Sequence, residues 1–207
     1  MIEKSISTIC LFTEDKWKRQ ELGDEYFEKL SIDGVCYKYR LYYKTLWQNK
    51  KNPRLLSFVM LNPSLASQYS VDCSVSNCIK IAKDENFDGI EVLNVYSLRH
   101  PKYKKFKSYV KTNGNPKNLN YDFAELKNVV LAWGSEDVYN SILFKEIRDK
   151  AENLYRLVVK DKGKIAQNYN YNEKALRHPN NMAWTKLGGI SNAKLLLINK
   201  KDWDIFI

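Results

Sequence analysis

Two short proline-containing motifs carry the polar residues of this chain that are best suited to chemistry: Asn62-Pro63-Ser64 and Arg177-His178-Pro179. The first follows an apolar run typical of a buried strand, so the carbonyl oxygen of Asn62 could hold a water or a substrate hydroxyl in a fixed place. His178 could donate a hydrogen bond to an anion that develops during a reaction. The alternatives are that Asn62 and Ser64 satisfy backbone groups of a turn and that His178 is an ordinary surface histidine.

Three further polar residues lie in or near apolar runs and could take part in binding. Asn94 lies in the run 90–95 and offers a donor and an acceptor together, which suits the edge of a nucleobase or the capping of a strand end. Arg99 could pair with a phosphate or with a neighbouring carboxylate. Asp72 or Ser74 could cap the helix that follows, and for Asp72 this role is favoured over that of a catalytic carboxylate.

The charge of the chain favours an anionic partner. Lys and Arg number 34 against 24 acidic residues, which gives a net charge of +10. Such a field attracts polyanions, of which nucleic acid is the commonest. A lysine-rich composition is also a common trait of proteins from AT-rich bacterial genomes. Lys102, Lys104 and Lys105 alternate with Tyr103 and Phe106, a mixture that suits a nucleic-acid strand and equally a solvated loop.

The cysteines and the pattern of the N-terminal residues bear on the class of protein that we expect. Cys10, Cys36, Cys73 and Cys78 form no C-x-x-C pair, and the chain has two histidines, so we expect no metal site. No cofactor is indicated. No apolar run has membrane-spanning length and no signal peptide is evident, so we expect a cytoplasmic protein with reduced thiols and no membrane partner. The sequence leaves the oligomeric state open.

The elements that would position these residues alternate between strands and helices. Residues 35–43 alternate like a half-buried strand, and buried strands are predicted at 55–61, 90–95, 128–133 and 155–159, with helices at 74–85 and 136–152. This order predicts an α/β fold, a three-layer α/β/α sandwich around a mostly parallel four-stranded sheet. We expect a single domain over 1–207 with an N-terminal extension at about 1–34. Ligands bind beyond the carboxyl ends of such strands, where Asn62, Asn94, Trp133 and His178 would converge.

Several of these segments together resemble the domain of unknown function family 1643. The matching pieces lie between residues 39 and 179, and they are Tyr39-Arg40-Leu41, Phe58-Val59-Met60-Leu61-Asn62-Pro63-Ser64, Asp72, Leu93-Asn94, Leu98-Arg99, Ala132-Trp133-Gly134 and Arg177-His178-Pro179.

That family in turn is similar to the uracil-DNA glycosylase superfamily, in which motifs such as GxNPG, LLN, LWG and HPS follow one another. This chain has MLNPS, VLN, AWG and HPN in the same order. The resemblance implies that Asn62 orients the attacking water, that Asn94 reads the base, and that His178 stabilises the departing base. It also implies a base pocket that includes Pro63, Ser64 and Trp133.

The resemblance further implies nucleic-acid backbone contacts through Arg99, Lys102, Lys104, Lys105, Arg177 and Asn180. The function it implies is that of a DNA glycosylase-like protein, in DNA repair or phage defence, that flips and excises a modified or damaged base. The first motif has no aspartate, and Ser64 and Asn180 depart from the superfamily pattern. The alternatives are a non-catalytic nucleic-acid-binding module of the same fold and an enzyme that acts on free nucleosides or nucleotides.

Overall fold

The computed structural model describes residues 7–12, 30–32, 35–48, 50–63, 71–96, 98–99, 124–134, 138, 140–160, 176–180, 184 and 189–207, with the backbone alone at 7–12, 30–32, 35–41 and 98–99. The strands are β1 (Ser7–Phe12), β2 (Leu30–Ile32), β3 (Val35–Leu46), β4 (Leu55–Met60), β5 (Gly89–Asn94), β6 (Leu98–Arg99), β7 (Asn128–Leu131), β8 (Asn153–Val159) and β9 (Ala193–Leu197). The α-helices are α1 (Cys73–Asp84) and α2 (Ser141–Lys150), and the 3-10 helices cover Ile190–Asn192 and Lys200–Ile205.

The strands form a mixed sheet in the order β1-β3-β5-β4-β7-β8-β9. The four strands β5, β4, β7 and β8 are parallel to their neighbours in this group, whereas β3 and β1 on one side and β9 on the other are antiparallel. The short strands β2 and β6 pair with β3.

The prediction of an α/β fold is confirmed, but the prediction of a four-stranded, mostly parallel sheet is not. The four predicted buried strands form the parallel centre, and antiparallel strands widen the sheet on both sides. The alternating pattern at 35–43 did predict the flanking strand β3, although the predicted four-stranded sheet did not include it. Strand β9 was not predicted, because a continuous apolar run identifies only strands that are covered on both faces. Moreover, β1 and β2 fall within the predicted N-terminal extension, and both pair with β3.

The two α-helices among the described residues cover opposite faces of the sheet. Every side chain of β4 and β5 is buried, and alternate residues of each strand enter different cores. Phe58 packs in the core that contains Val75 and Ile81 of α1, which we call the α1-side core. Val59 packs in the core that contains Leu143 and Phe144 of α2, the α2-side core.

Both helices begin with an N-cap side chain. Asp72 accepts a hydrogen bond from the amide of Val75 at 3.0 Å, which confirms its predicted role. Asn140 accepts from the amide of Leu143 at 3.0 Å, and its Nδ2 donates to the carbonyl oxygen of Val95 at 2.8 Å. The start of α2 is therefore fixed next to the carboxyl end of β5.

Candidate functional site at the carboxyl edge of the sheet

Asn62 and Asn94 lie on adjacent chain segments at the carboxyl edge of the parallel strands. Met60, the last residue of β4, is opposite Asn94, the last residue of β5. The pairing continues beyond both strands, because Val95 N donates to Met60 O at 2.8 Å and Tyr96 N donates to Leu61 O at 3.0 Å. The backbone that carries both asparagines is thus held by a continuous ladder.

Asn94 faces the α1 side of the sheet and is almost wholly enclosed. Its neighbours Leu93 and Val95 belong to the α2-side core, so strand alternation directs Asn94 to the opposite face. Only 2% of Asn94 is exposed. A buried amide has a fixed surrounding, and this suits a group that distinguishes one hydrogen-bonding edge from another.

Asn62 is half-buried just beyond the end of β4. Its Nδ2 donates a long hydrogen bond of 3.4 Å to the carbonyl oxygen of Pro63, which is itself buried. Within the described part of the chain this is the one hydrogen bond of the Asn62 side chain, so its Oδ1 is available as an acceptor. Ser64, also predicted for the site, lies outside the described residues.

Three contacts hold residues 176–180, the His178 loop, at the carboxyl edge, and two of them are made on the α1 side. Leu176 forms a β-bridge with Gly134, which follows β7. Asn77 of α1 donates from Nδ2 to the carbonyl oxygen of Pro179 at 3.0 Å, and the indole N–H of Trp184 donates to the carbonyl oxygen of His178 at 3.0 Å. Trp184 belongs to the α1-side core, so the loop is anchored to packed structure.

The hydrogen bonds of His178 define its tautomer. The backbone N–H of Asn180 donates to His178 Nδ1 at 3.0 Å, so Nδ1 acts as an acceptor. The proton of the neutral ring is then on Nε2, which becomes a donor. Burial lowers the pKa of His178 below its ordinary value of 6.5, against the opposing effect of the Asp72 carboxylate, so the ring is neutral at pH 7.

Other residues predicted for the site lie elsewhere or are enclosed. Trp133 is buried in the α2-side core, where its ring stacks on Phe144 at a centroid distance of 5.6 Å, so it lies on the face opposite to Asn94. Arg177 is only 7% exposed, whereas Asn180 is exposed.

The remaining residues predicted to contact nucleic acid are described only by their backbone or lie outside the described residues. Arg99 pairs through its backbone with Lys38 of β3, and its side chain is not described. Lys102, Lys104 and Lys105 lie outside the described residues.

The sequence analysis did not identify Asn77, which connects α1 to the His178 loop. Its partner Pro179 is 102 residues away, and an asparagine in a helix has no periodic signature that would reveal such a contact. The sequence does place Asn77 within two turns of the N-cap of α1. Because that helix begins at the predicted ligand edge, this position could have suggested a contact there.

A buried carboxylate in the α2-side half of the sheet is a structural feature and not part of this edge. Glu91 is fully buried and accepts hydrogen bonds from Tyr42 Oη and Ser57 Oγ, each at 2.6 Å. The backbone amides of Glu125 and Leu126 donate to the same carboxylate at 3.1 and 3.3 Å. Burial, together with the adjacent Glu91, raises the pKa of Tyr42 far above its ordinary value.

Two kinds of feature are absent from the part of the chain that the structure describes. It contains no group of three or more His, Cys, Asp or Glu residues that could hold a metal ion. It also contains no helix whose length and apolar character would let it cross a membrane.

Comparison with known proteins identifies a family for the chain. Residues 39–180, more than half of its length, match the family model described as "Protein of unknown function (DUF1643)". No curated protein and no solved structure matches the chain. The matched range begins in β3 and ends just after the His178 loop, so it includes both asparagines and the histidine of the candidate site. The chain therefore belongs to the DUF1643 family.

Proposed function

We propose that the protein is a DNA glycosylase-like protein with a uracil-DNA glycosylase-like fold, which flips a modified or damaged base out of the duplex and hydrolyses its N-glycosidic bond. The observation that carries the proposal is the position of Asn62 and Asn94 on adjacent segments at the carboxyl edge, together with a neutral His178 on the loop that Asn77 anchors to α1. The net charge of +10 suits a DNA partner.

Each group is assigned a role in the proposed reaction, and for Asn94 this role requires its enclosed side chain to become accessible to the base. Water attacks C1′ of the sugar while the C1′–N bond breaks and its electron pair passes to the base; the water loses a proton to solvent, and the released base takes up a proton from solvent. Asn62 Oδ1 orients the water, the enclosed Asn94 amide reads the base, and His178 Nε2–H donates to the anion that forms on the base. A preorganised donor of this kind contributes about 3–4 kcal/mol to a developing anion.

One observation favours the alternative of a binding module that does not cut. Asn62 stands where a carboxylate would activate water more strongly, and Asp72, the carboxylate that acts on His178, is engaged as the N-cap of α1. A site with these residues could bind a flipped base without hydrolysing the bond. The two functions differ in product and not in binding.

The test is to look for abasic sites in duplexes that carry uracil, hypoxanthine or a phage-type modified cytosine. We expect alkali-labile sites with at least one substrate, and we expect a loss of about 100-fold or more in the excision rate for His178→Gln and Asn62→Ala. His100→Gln, which changes the other histidine of the chain, is the matched control and should retain activity.

The binding of the same duplexes separates the two functions. Variants that lose excision but retain DNA affinity support the enzyme. If the wild-type protein binds a modified duplex and yields no abasic site on any of the three, the binding module is the better description.

A further inference from the structure

A second polar cleft lies at the opposite edge of the sheet from the candidate site. Its volume is about 580 Å³, and it opens where β4, β7 and β8 begin, next to Leu55, Asn128 and Asn153. Because these strands are parallel, their amino ends share one edge, and the whole length of the sheet separates this cleft from Asn94 and His178.

The charge of the cleft is predominantly positive. Lys51, Arg54 and Lys127 line it, all three are exposed, and none of them forms an ion pair with another described residue. Of the two carboxylates in the lining, Glu125 is already paired with Lys44 at 3.3 Å. Glu152 remains as the one lining carboxylate without an ion pair among the described residues.

Arg54 is held in place by contacts other than an ion pair. Its backbone amide donates to Asp88 Oδ2 at 2.8 Å, and its guanidinium lies 4.1 Å from the centroid of the Phe87 ring. Lys50 Nζ forms an ion pair with the other oxygen of Asp88, Oδ1, at 2.7 Å. The Arg54 side chain is therefore partly preorganised, and the nearest carboxylate is already satisfied.

The floor of the cleft consists of two asparagines that fix each other. Asn153 Nδ2 donates to Asn128 Oδ1 at 3.0 Å, and Asn128 Nδ2 donates to the carbonyl oxygen of Leu55 at 3.3 Å. These two bonds leave Asn153 Oδ1 as an acceptor, and each amide retains a second N–H donor. The floor can thus receive both hydroxyl groups and the polar edge of a ring.

We propose that this cleft binds a phosphate-bearing ligand of mononucleotide size. The volume falls within the usual range of small-molecule sites. Guanidinium and ammonium groups recognise phosphate, and Arg54 can do so through two parallel hydrogen bonds. Glu152 and the asparagine pair supply the acceptors and donors for a sugar and a base. The phosphate comes either from a free nucleotide or from the backbone of a nucleic acid.

Calorimetric titration with AMP, adenosine and inorganic phosphate tests the site. We expect AMP to bind more tightly than adenosine, and we expect Arg54→Gln and Lys127→Gln each to weaken AMP binding about tenfold or more, through loss of a charge-assisted hydrogen bond. Lys80→Gln and Lys145→Gln remove the same charge from exposed positions on α1 and α2 and should leave AMP affinity unchanged.

Further arms identify the source of the phosphate and separate this site from the carboxyl edge. A short single-stranded oligonucleotide that displaces AMP, and whose own binding is weakened by Arg54→Gln, points to nucleic acid; failure to displace AMP points to a free nucleotide. His178→Gln should bind AMP like the wild type, whatever its effect on excision. Absence of AMP binding, or equal loss in the Lys80 and Lys145 controls, overturns the proposal.

Discussion

At the scale of single residues, the buried carboxylate of Glu91 connects several segments of the described structure. Two hydroxyls and two backbone amides donate to it. Replacement by glutamine removes the charge and turns an N–H group towards these donors. We expect Glu91→Gln to lower the free energy of unfolding by about 2–4 kcal/mol, measured by urea denaturation at pH 7.

Two further substitutions give unfolding free energies with which the loss in Glu91→Gln can be compared. Ser57→Ala removes one of the four donors and should cost about 1 kcal/mol. Asp149→Asn removes a carboxylate from an exposed position of α2 and should change stability by no more than about 0.5 kcal/mol. A Glu91→Gln effect as small as that of Asp149→Asn would show that the network contributes little to folding.

The protonation of His178 gives a second prediction at this scale. Because burial lowers its folded-state pKa, His178 should titrate below 6.5, and nitrogen NMR should show the proton of the neutral ring on Nε2. The unfolded chain binds the proton first as the pH falls, so the contribution of His178 to stability is complete above pH 6.5 and is lost progressively below it. A spectrum recorded on His100→Gln isolates the signal.

Asp72 provides the internal control for this titration. Its carboxylate opposes the effect of burial, so Asp72→Asn should lower the pKa of His178 further. Asparagine is also a good N-cap, so α1 should persist in this variant. A midpoint above 6.5, or an upward shift on Asp72→Asn, would contradict the arrangement at this edge.

At the scale of elements, Asn140 joins the start of α2 to the end of β5. Asn140→Ala removes both the cap and the bond to Val95 and should cost about 2 kcal/mol in unfolding free energy. Asn140→Ser keeps a cap acceptor but not the longer amide donor, so we expect about half of that loss. Equal losses for alanine and serine would mean that the cap contributes nothing.

The central strands could be predicted from sequence because a strand that is buried on both faces is a nearly continuous run of apolar residues. The residues of β4 are almost all apolar, and Asp72 precedes a helical pattern, so both were predicted. Strand β9 was not predicted, since four of its five residues are only partly buried or exposed and residues 160–192 separate it from its partner β8.

Site residues proved harder to predict than elements, because their roles depend on contacts between distant segments. Trp133 follows a buried strand and matched a pocket motif, yet it shares the alternation of Val129 and Leu131 and so enters the α2-side core. Counting that alternation from Val129 would have placed it there. No such count locates His178, whose position depends on partners such as Asn77 on another element.

At the scale of the whole molecule, the net charge of +10 and the candidate site affect different properties of DNA binding. Charge determines how strongly the duplex is held and how steeply this falls with salt, whereas the neutral His178 ring exchanges no counterion. Binding and excision should therefore be separable by substitution.

Salt titration of DNA affinity measures this separation. We expect the logarithm of the association constant to fall linearly with the logarithm of salt concentration, by about 0.9 for each phosphate neutralised. His178→Gln should leave that slope unchanged. The double variant Lys104→Gln and Lys105→Gln should reduce it by about 1–2, because both lysines are predicted to contact the backbone. If the slope instead responds only to Arg54→Gln and Lys127→Gln, the DNA is held at the amino edge of the sheet, too far from His178 for base excision, and the proposed glycosylase activity would lose its physical basis.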